Sequence, residues 1–222
     1  MMKYREVKGI LPVTWNEVAA LWFEIGVEGL KPAEGEEDQS KANAALLLGR
    51  ILFKMEETLE FVLSELESCG GRHSVPTEGS MLVGIAEEDE AVLSVLLAAL
   101  QNTLEEEYRD SLEHFCITLK RTEPQGLPGL HPVDLQKSIF YLIQLPEGVQ
   151  KTSGARSSRP ELLCHVTGVE LLPGGLHCSI SVGSTSESAG EMLTEKIAYL
   201  TEFLGGEIYT DHETASDSGA SL

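Results

Sequence analysis

LLCHVTGVELLPGGLHCSISV (162–182) is the stretch from which the fold of this chain is read. Two runs, Leu162–Leu172 and Leu176–Val182, flank Pro173-Gly174-Gly175, and a Pro/Gly turn between such runs signals a β-hairpin. With Gly174-Gly175 as the turn, Leu171 faces Cys178 and Val169 faces Ile180, giving one apolar face. An antiparallel sheet is therefore expected in this half of the chain. Phe115, Ile117 and Leu119 alternate with Cys116, Thr118 and Lys120, which reads as a half-buried strand. SIFYLIQL (138–145) reads as a more buried strand, and Ile208-Tyr209 as an edge strand. Between them, residues 122–135 hold three prolines and two glycines and are expected to form a loop. A final amphipathic helix is expected from about Ala189 to Leu204, closed by Gly205-Gly206.

The N-terminal half reads as helical. Thr14 and Glu17 have capping-box spacing, so a helix is expected from near Trp15 through Val18, Leu21, Trp22 and Ile25. Ser40 is expected to cap a longer helix reaching about Ser68. Its stripe includes Ala44, Leu47, Leu48, Ile51, Met55, Leu59, Val62 and Leu66. Met81–Ile85 suits a short strand or a helix lead-in. Ala91–Leu100 is apolar almost all round, marking the expected centre of the helical half, and Glu87-Glu88-Asp89-Glu90 complement that helix's dipole. The expected class is α+β: a helical N-terminal half packed on an antiparallel β-sheet with a C-terminal helix. It divides into residues 1–112 and 113–209 as one composite domain, followed by a disordered tail over 210–222. No internal repeat is visible.

Charge narrows the function classes. The chain holds 36 Asp and Glu against 16 Lys and Arg, a net charge of −20, and residues 1–112 carry −13 of it. Such a chain repels a phosphate backbone and an anionic membrane surface, which argues against nucleic acid and membrane partners and favours a basic one. No signal peptide is recognisable, and the longest apolar run is far below the roughly 20 residues of a membrane span. Four scattered cysteines without a CxxC pattern read as reduced thiols, so a cytoplasmic location is expected.

Candidate chemistry is sparse. Cys164-His165 and His177-Cys178 lie on the two hairpin arms, but neighbours on a strand point to opposite faces, so they read as buried cysteines and edge histidines. Cys116 and His114 have the spacing to share a strand face as a thiol–imidazole dyad, a reading weaker than that of a packed strand cysteine. Gly183-Ser184-Thr185-Ser186 has the position of an anion-cradling turn but lacks the P-loop glycines and lysine, and reads as a capping segment. The carboxylate groups Glu56-Glu57, Glu87–Glu90 and Glu105–Glu107 read as wet helix faces. No catalytic residue, metal ligand or cofactor is assigned.

Val149–Arg159 (VQKTSGARSSR) has three bases and no acid, and its composition predicts a mobile loop. Lys151, Arg156 and Arg159, with Phe53 away from the main helical stripe and Phe61 at its edge, are therefore the candidate partner-binding residues. The expected function is a non-enzymatic acidic cytosolic binding or adaptor protein that recognises another protein: an inhibitor, an immunity-like protein or an accessory subunit. The alternative is a small hydrolase or transferase with a site between the helical and sheet halves, recognisable by a sheltered pocket joining Cys or His to a carboxylate.

Overall fold

The computed structural model describes residues 2–32, 42–71, 73–123, 128–153 and 159–212. The class is α+β: the described residues form four α-helices and a nine-stranded antiparallel sheet, with one further two-stranded ribbon. The strands are β1 (Lys3–Leu11), β2 (Trp15–Glu17), β3 (Leu21–Leu30), β4 (Phe61–Cys69), β5 (Gly79–Ile85), β6 (Leu112–Thr122), β7 (Gly129–Leu130), β8 (Gly148–Thr152), β9 (Pro160–Leu172), β10 (Gly175–Ser184) and β11 (Glu207–His212). The helices are α1 (Ala44–Glu56), α2 (Glu90–Glu107), α3 (Pro132–Gln144) and α4 (Glu187–Phe203).

The main sheet runs β11-β1-β10-β9-β4-β5-β3-β6, with β8 also paired to β9. This order hides a duplication. The inner unit β3-α1-β4-β5-α2-β6 and the outer unit β1-α3-β9-β10-α4-β11 are both βαββαβ, and each arranges its own strands in the order fourth, first, third, second. That is the split-βαβ, ferredoxin-like arrangement. The inner unit is inserted into the outer one between β1 and α3. The two meet through their equivalent second strands, with Glu67 opposite Glu170 and Cys69 opposite Gly168, and through their equivalent first helices α1 and α3. The expectation of no internal repeat is corrected by topology, which repeats where the residues do not.

Alternation sorts the two faces of the sheet. Val7, Phe23, Ile25, Val27, Met81, Val83, Val169, Cys178, Ile180 and Val182 point into one continuous core, under the helices. The other face carries Glu24, Glu28, Glu67, Lys120 and Ser179, and no helix among the described residues packs on it. Where β8 gives way to β4 along β9, side chains replace the missing ladder. Glu147 accepts a hydrogen bond from Val166 N–H at 2.8 Å, and Asn43 Nδ2 donates to Val166 O at 2.8 Å. Asn43 also caps α1 by accepting from Ala45 N–H.

The antiparallel sheet, the hairpin and the C-terminal helix are as expected; the helical N-terminal half is not. The segment expected to be helical from Trp15 forms β2 and β3, and the long 41–68 helix is α1 followed by β4. Ser40 lies outside the described residues. The 138–145 strand is part of α3, started by Pro132 at its first position after the His131 cap. Strands from both sides of residue 112 interleave, so the 1–112 and 113–209 division does not separate structural units. Residues 210–212 end β11, and the remainder of the expected tail lies outside the described residues. Nor is α2 central: it buries Leu93, Leu97, Leu100 and Leu104 and leaves Val92 and Val95 exposed.

Candidate functional site on the helix-free sheet face

Three neighbouring cavities run along the open face. The first, of about 460 Å³, is lined by Glu24, Glu65, Glu67, Glu170 and Lys120; the second, about 330 Å³, shares Glu24 and Glu67 with it and adds Glu28, Glu78 and Cys69. The third, about 230 Å³, reaches the outer unit through Cys69, Gly70, Gly71, Gly168, Ser179, Glu6 and Lys8. This is where part of the acidity of residues 1–112 comes to rest. Alternation aims these glutamates to one side, and Glu67 stands directly opposite Glu170, an arrangement of like charges that opposes pairing. Lys120 answers one of them, with Nζ 3.8 Å from Glu24. Such a surface favours cations and repels anions.

At the outer unit the chemistry is more varied. The segment between β4 and β5 crosses the open face and places His73 Nδ1 3.0 Å from Ser181 Oγ on β10. The His73 ring lies 4.9 Å from the ring of Tyr4 on β1. Ser181 is flanked in the ladder by Glu6 and His165. His165 Nδ1 in turn lies 2.8 Å from Glu147 Oε1. Ser181 is buried, whereas His73, Tyr4, Glu6 and His165 are half-buried and Lys8 is exposed. Among the described residues no three His, Cys, Asp or Glu side chains gather in a geometry that could hold a metal ion.

The cysteines differ in setting. Burial holds the Cys164 and Cys178 thiols far above their ordinary range, and both face the core. Cys69 faces the cavities, but partial burial together with Glu170 and Glu67 raises its pKa, the wrong direction for a thiolate nucleophile. Cys116 is opposite Glu28, and His114 has φ 59° beside the bulge at Glu28/Leu30, so simple alternation no longer places the two on one face. At Gly183–Ser186 the Ser184 hydroxyl donates to Ser186 O at 2.6 Å and accepts from Ser186 N–H at 3.1 Å. Glu187, the first residue of α4, is bound to Lys3 and Arg5, and Ser186 at the cap position makes no side-chain capping bond, so the segment is a local turn leading into the helix. Glu57 pairs with Lys54, Glu90 with Arg121, and Glu107 with Arg50 in a two-pronged bridge from α2 to α1.

The candidate partner-binding residues are dispersed. Lys151 lies in β8 with Nζ 2.8 Å from Glu161, Arg159 immediately precedes β9, and Arg156 lies outside the described residues. Phe53 on α1 and Phe61 at the start of β4 both pack partly buried against the core. His73, Tyr4, Ser181, Glu67 and Glu170 were not singled out from the sequence. His73 and Ser181 are 108 residues apart, and no local pattern joins them. The alternating glutamates of β3 and β4 were the one available signal.

No protein-family model matches the sequence, and no curated protein matches it. Among solved structures, an aminoacylhistidine dipeptidase from Vibrio alginolyticus superposes with a TM-score of 0.89 at 18% identity, covering 98% of this chain and 46% of that one. A hydantoinase/carbamoylase family amidase from Burkholderia multivorans, at 15% identity over 70% of this chain and 37% of that one, superposes with a TM-score of 0.33, too loosely to describe this fold. This chain thus spans less than half the length of the dipeptidase, and what the two share is architecture. That likeness overturns the expectation of a non-enzymatic adaptor, inhibitor or accessory protein. Almost the whole chain has a fold that is built into a dipeptidase. No helix among the described residues is long and apolar enough to cross a membrane.

Proposed function

We propose that this chain belongs to a hydrolase acting on the amide bonds of short peptides, with the helix-free sheet face handling substrate. The observation that carries the reading is the superposition of 98% of the chain on a dipeptidase at a TM-score of 0.89. The face itself supports it: an aminoacyl dipeptide presents an ammonium group, which the glutamate-lined cavities favour, while His73, Tyr4 and Lys8 offer polar contacts at their end. Four free cysteines go with action in a reducing compartment such as the cytoplasm.

The test uses native material, isolated through a tag on the chromosomal copy so that everything the chain is built into or joined to is retained. It is assayed for release of free histidine from aminoacylhistidine dipeptides, and for amide hydrolysis across dipeptides of varied sequence. Hydrolysis is expected, with His73→Ala lowering kcat/KM about tenfold or more in material that still unfolds cooperatively. Native material inactive on every dipeptide would sink the reading.

A further inference from the structure

A cavity of about 620 Å³ opens at the end of the sheet opposite His73, between the end of α1, the start of α3 and the segment leading into β3. Unlike the cavities of the open face, its walls are mainly apolar, formed by Ala19, Leu59, Phe61, Val62 and Leu135. Val18, 84% exposed, stands at its rim.

Two carboxylates, Glu56 and Glu60, complete the lining. Glu56 is the last residue of α1, where the negative end of the helix dipole opposes an acid. Its neighbour Glu57 is answered by Lys54 at 2.6 Å, whereas Glu56 and Glu60 have no ion pair among the described residues. The cavity thus joins apolar walls to two exposed carboxylates with no cation paired to them among the described residues, a surface complementary to an apolar cation. The geometry points to a binding site for a small apolar molecule bearing an ammonium group. The apolar body lies against Phe61, Leu59 and Val62, and the ammonium lies between Glu56 and Glu60. The site does not rest on the hydrolase reading: the length of β4, about 26 Å at ~3.3 Å per residue, separates it from the His73 end.

The experiment titrates the full chain with 2-phenylethylammonium, following amide shifts by NMR at low ionic strength and neutral pH. Neutral 2-phenylethanol and anionic 3-phenylpropanoate serve as shape-matched comparators. Saturable shifts are expected at Ala19, Leu59 and Gly84, with the ammonium binding at least about fivefold more tightly than the alcohol and the anion weakest. The exposed double substitution Glu56→Gln/Glu60→Gln should abolish the cation's advantage while leaving the alcohol's affinity and the unfolding midpoint unchanged. A phenylalanyl dipeptide amide, compared with its N-acetylated form, distinguishes a peptide terminus from a free amine as the source of the ammonium. Equal affinities for cation, alcohol and anion, or no shifts at those three amides, would overturn the assignment.

Discussion

Gly49 of α1 lies so close to Leu142 of α3 that a Cβ placed on it would fall 2.9 Å from the leucine Cβ. These are the equivalent first helices of the two nested units, and glycine lets them meet. Gly49→Val should force the helices apart and cost about 2 kcal/mol, within the usual range for overpacking a core. Alanine should cost less, because it regains about 1 kcal/mol of helix propensity. Urea unfolding at constant slope measures both; a valine variant as stable as the parent would refute the close approach.

Glu147 stands in for a missing strand beside β9. Glu147→Ala leaves the buried Val166 N–H without an acceptor and frees His165, so a loss of about 1–3 kcal/mol is expected. Amide exchange at Val166 should accelerate, while Glu147→Gln, still able to accept, should retain most of the protection. Unchanged exchange in the alanine variant would contradict this role.

The raised pKa of Cys69 gives the acidic face a chemical readout. Partial burial and the Glu170 and Glu67 carboxylates keep the thiol protonated, so alkylation at pH 8 should be slower than for an unhindered cysteine. Glu67→Gln/Glu170→Gln should speed it about twofold to threefold, as measured by peptide mass spectrometry. No acceleration would mean that the carboxylates do not act on the sulfur.

Burial also fixes how stability depends on alkaline pH. Cys164, Cys178 and Tyr141 have folded pKa values raised by desolvation, so they keep their protons in the folded chain after the unfolded chain begins to lose them. Their contribution is complete below the unfolded values, about 8.5 for Cys and about 10 for Tyr, and is lost as pH rises towards the folded ones. The urea midpoint should fall steadily from pH 8 to 11, and Tyr141→Phe should remove part of the fall above pH 10. A flat profile over that range would rule the mechanism out.

The local signals that could be read were those of the half-buried strand and the hairpin. The alternation of Phe115 to Lys120 marked β6, and the PGG turn located β9 and β10, although Leu171 pairs with Leu176 and Val169 with Cys178. The shift is two residues, so the same face stays apolar. β4 was illegible for a physical reason. Its bulge between Leu63 and Glu65 restores Leu66 to the core three residues after Leu63, which imitates a helical step. β3 is buried at Trp22 and Phe23 alike, so its nearly continuous apolar run has no period to read. His131-Pro132 did carry a helix-start signal that the apolar, β-branched run behind it obscured. The open face was beyond reach because it joins β3, β4, β9 and β10 across both units.

The nesting of one unit inside the other sets an order on assembly. Residues 21–122 hold every strand and both helices of the inner unit, so it can close as soon as that stretch leaves the ribosome. β1 emerges earlier but finds its neighbours last: Val7 pairs with Ile180 on one side and Thr210 on the other. Such distant closures are slow, and until they form β1 has both edges open and its apolar side chains wet. β1 is therefore the longest-lived aggregation hazard of this fold, a strand that stays unpaired until the chain beyond the inner unit has been made.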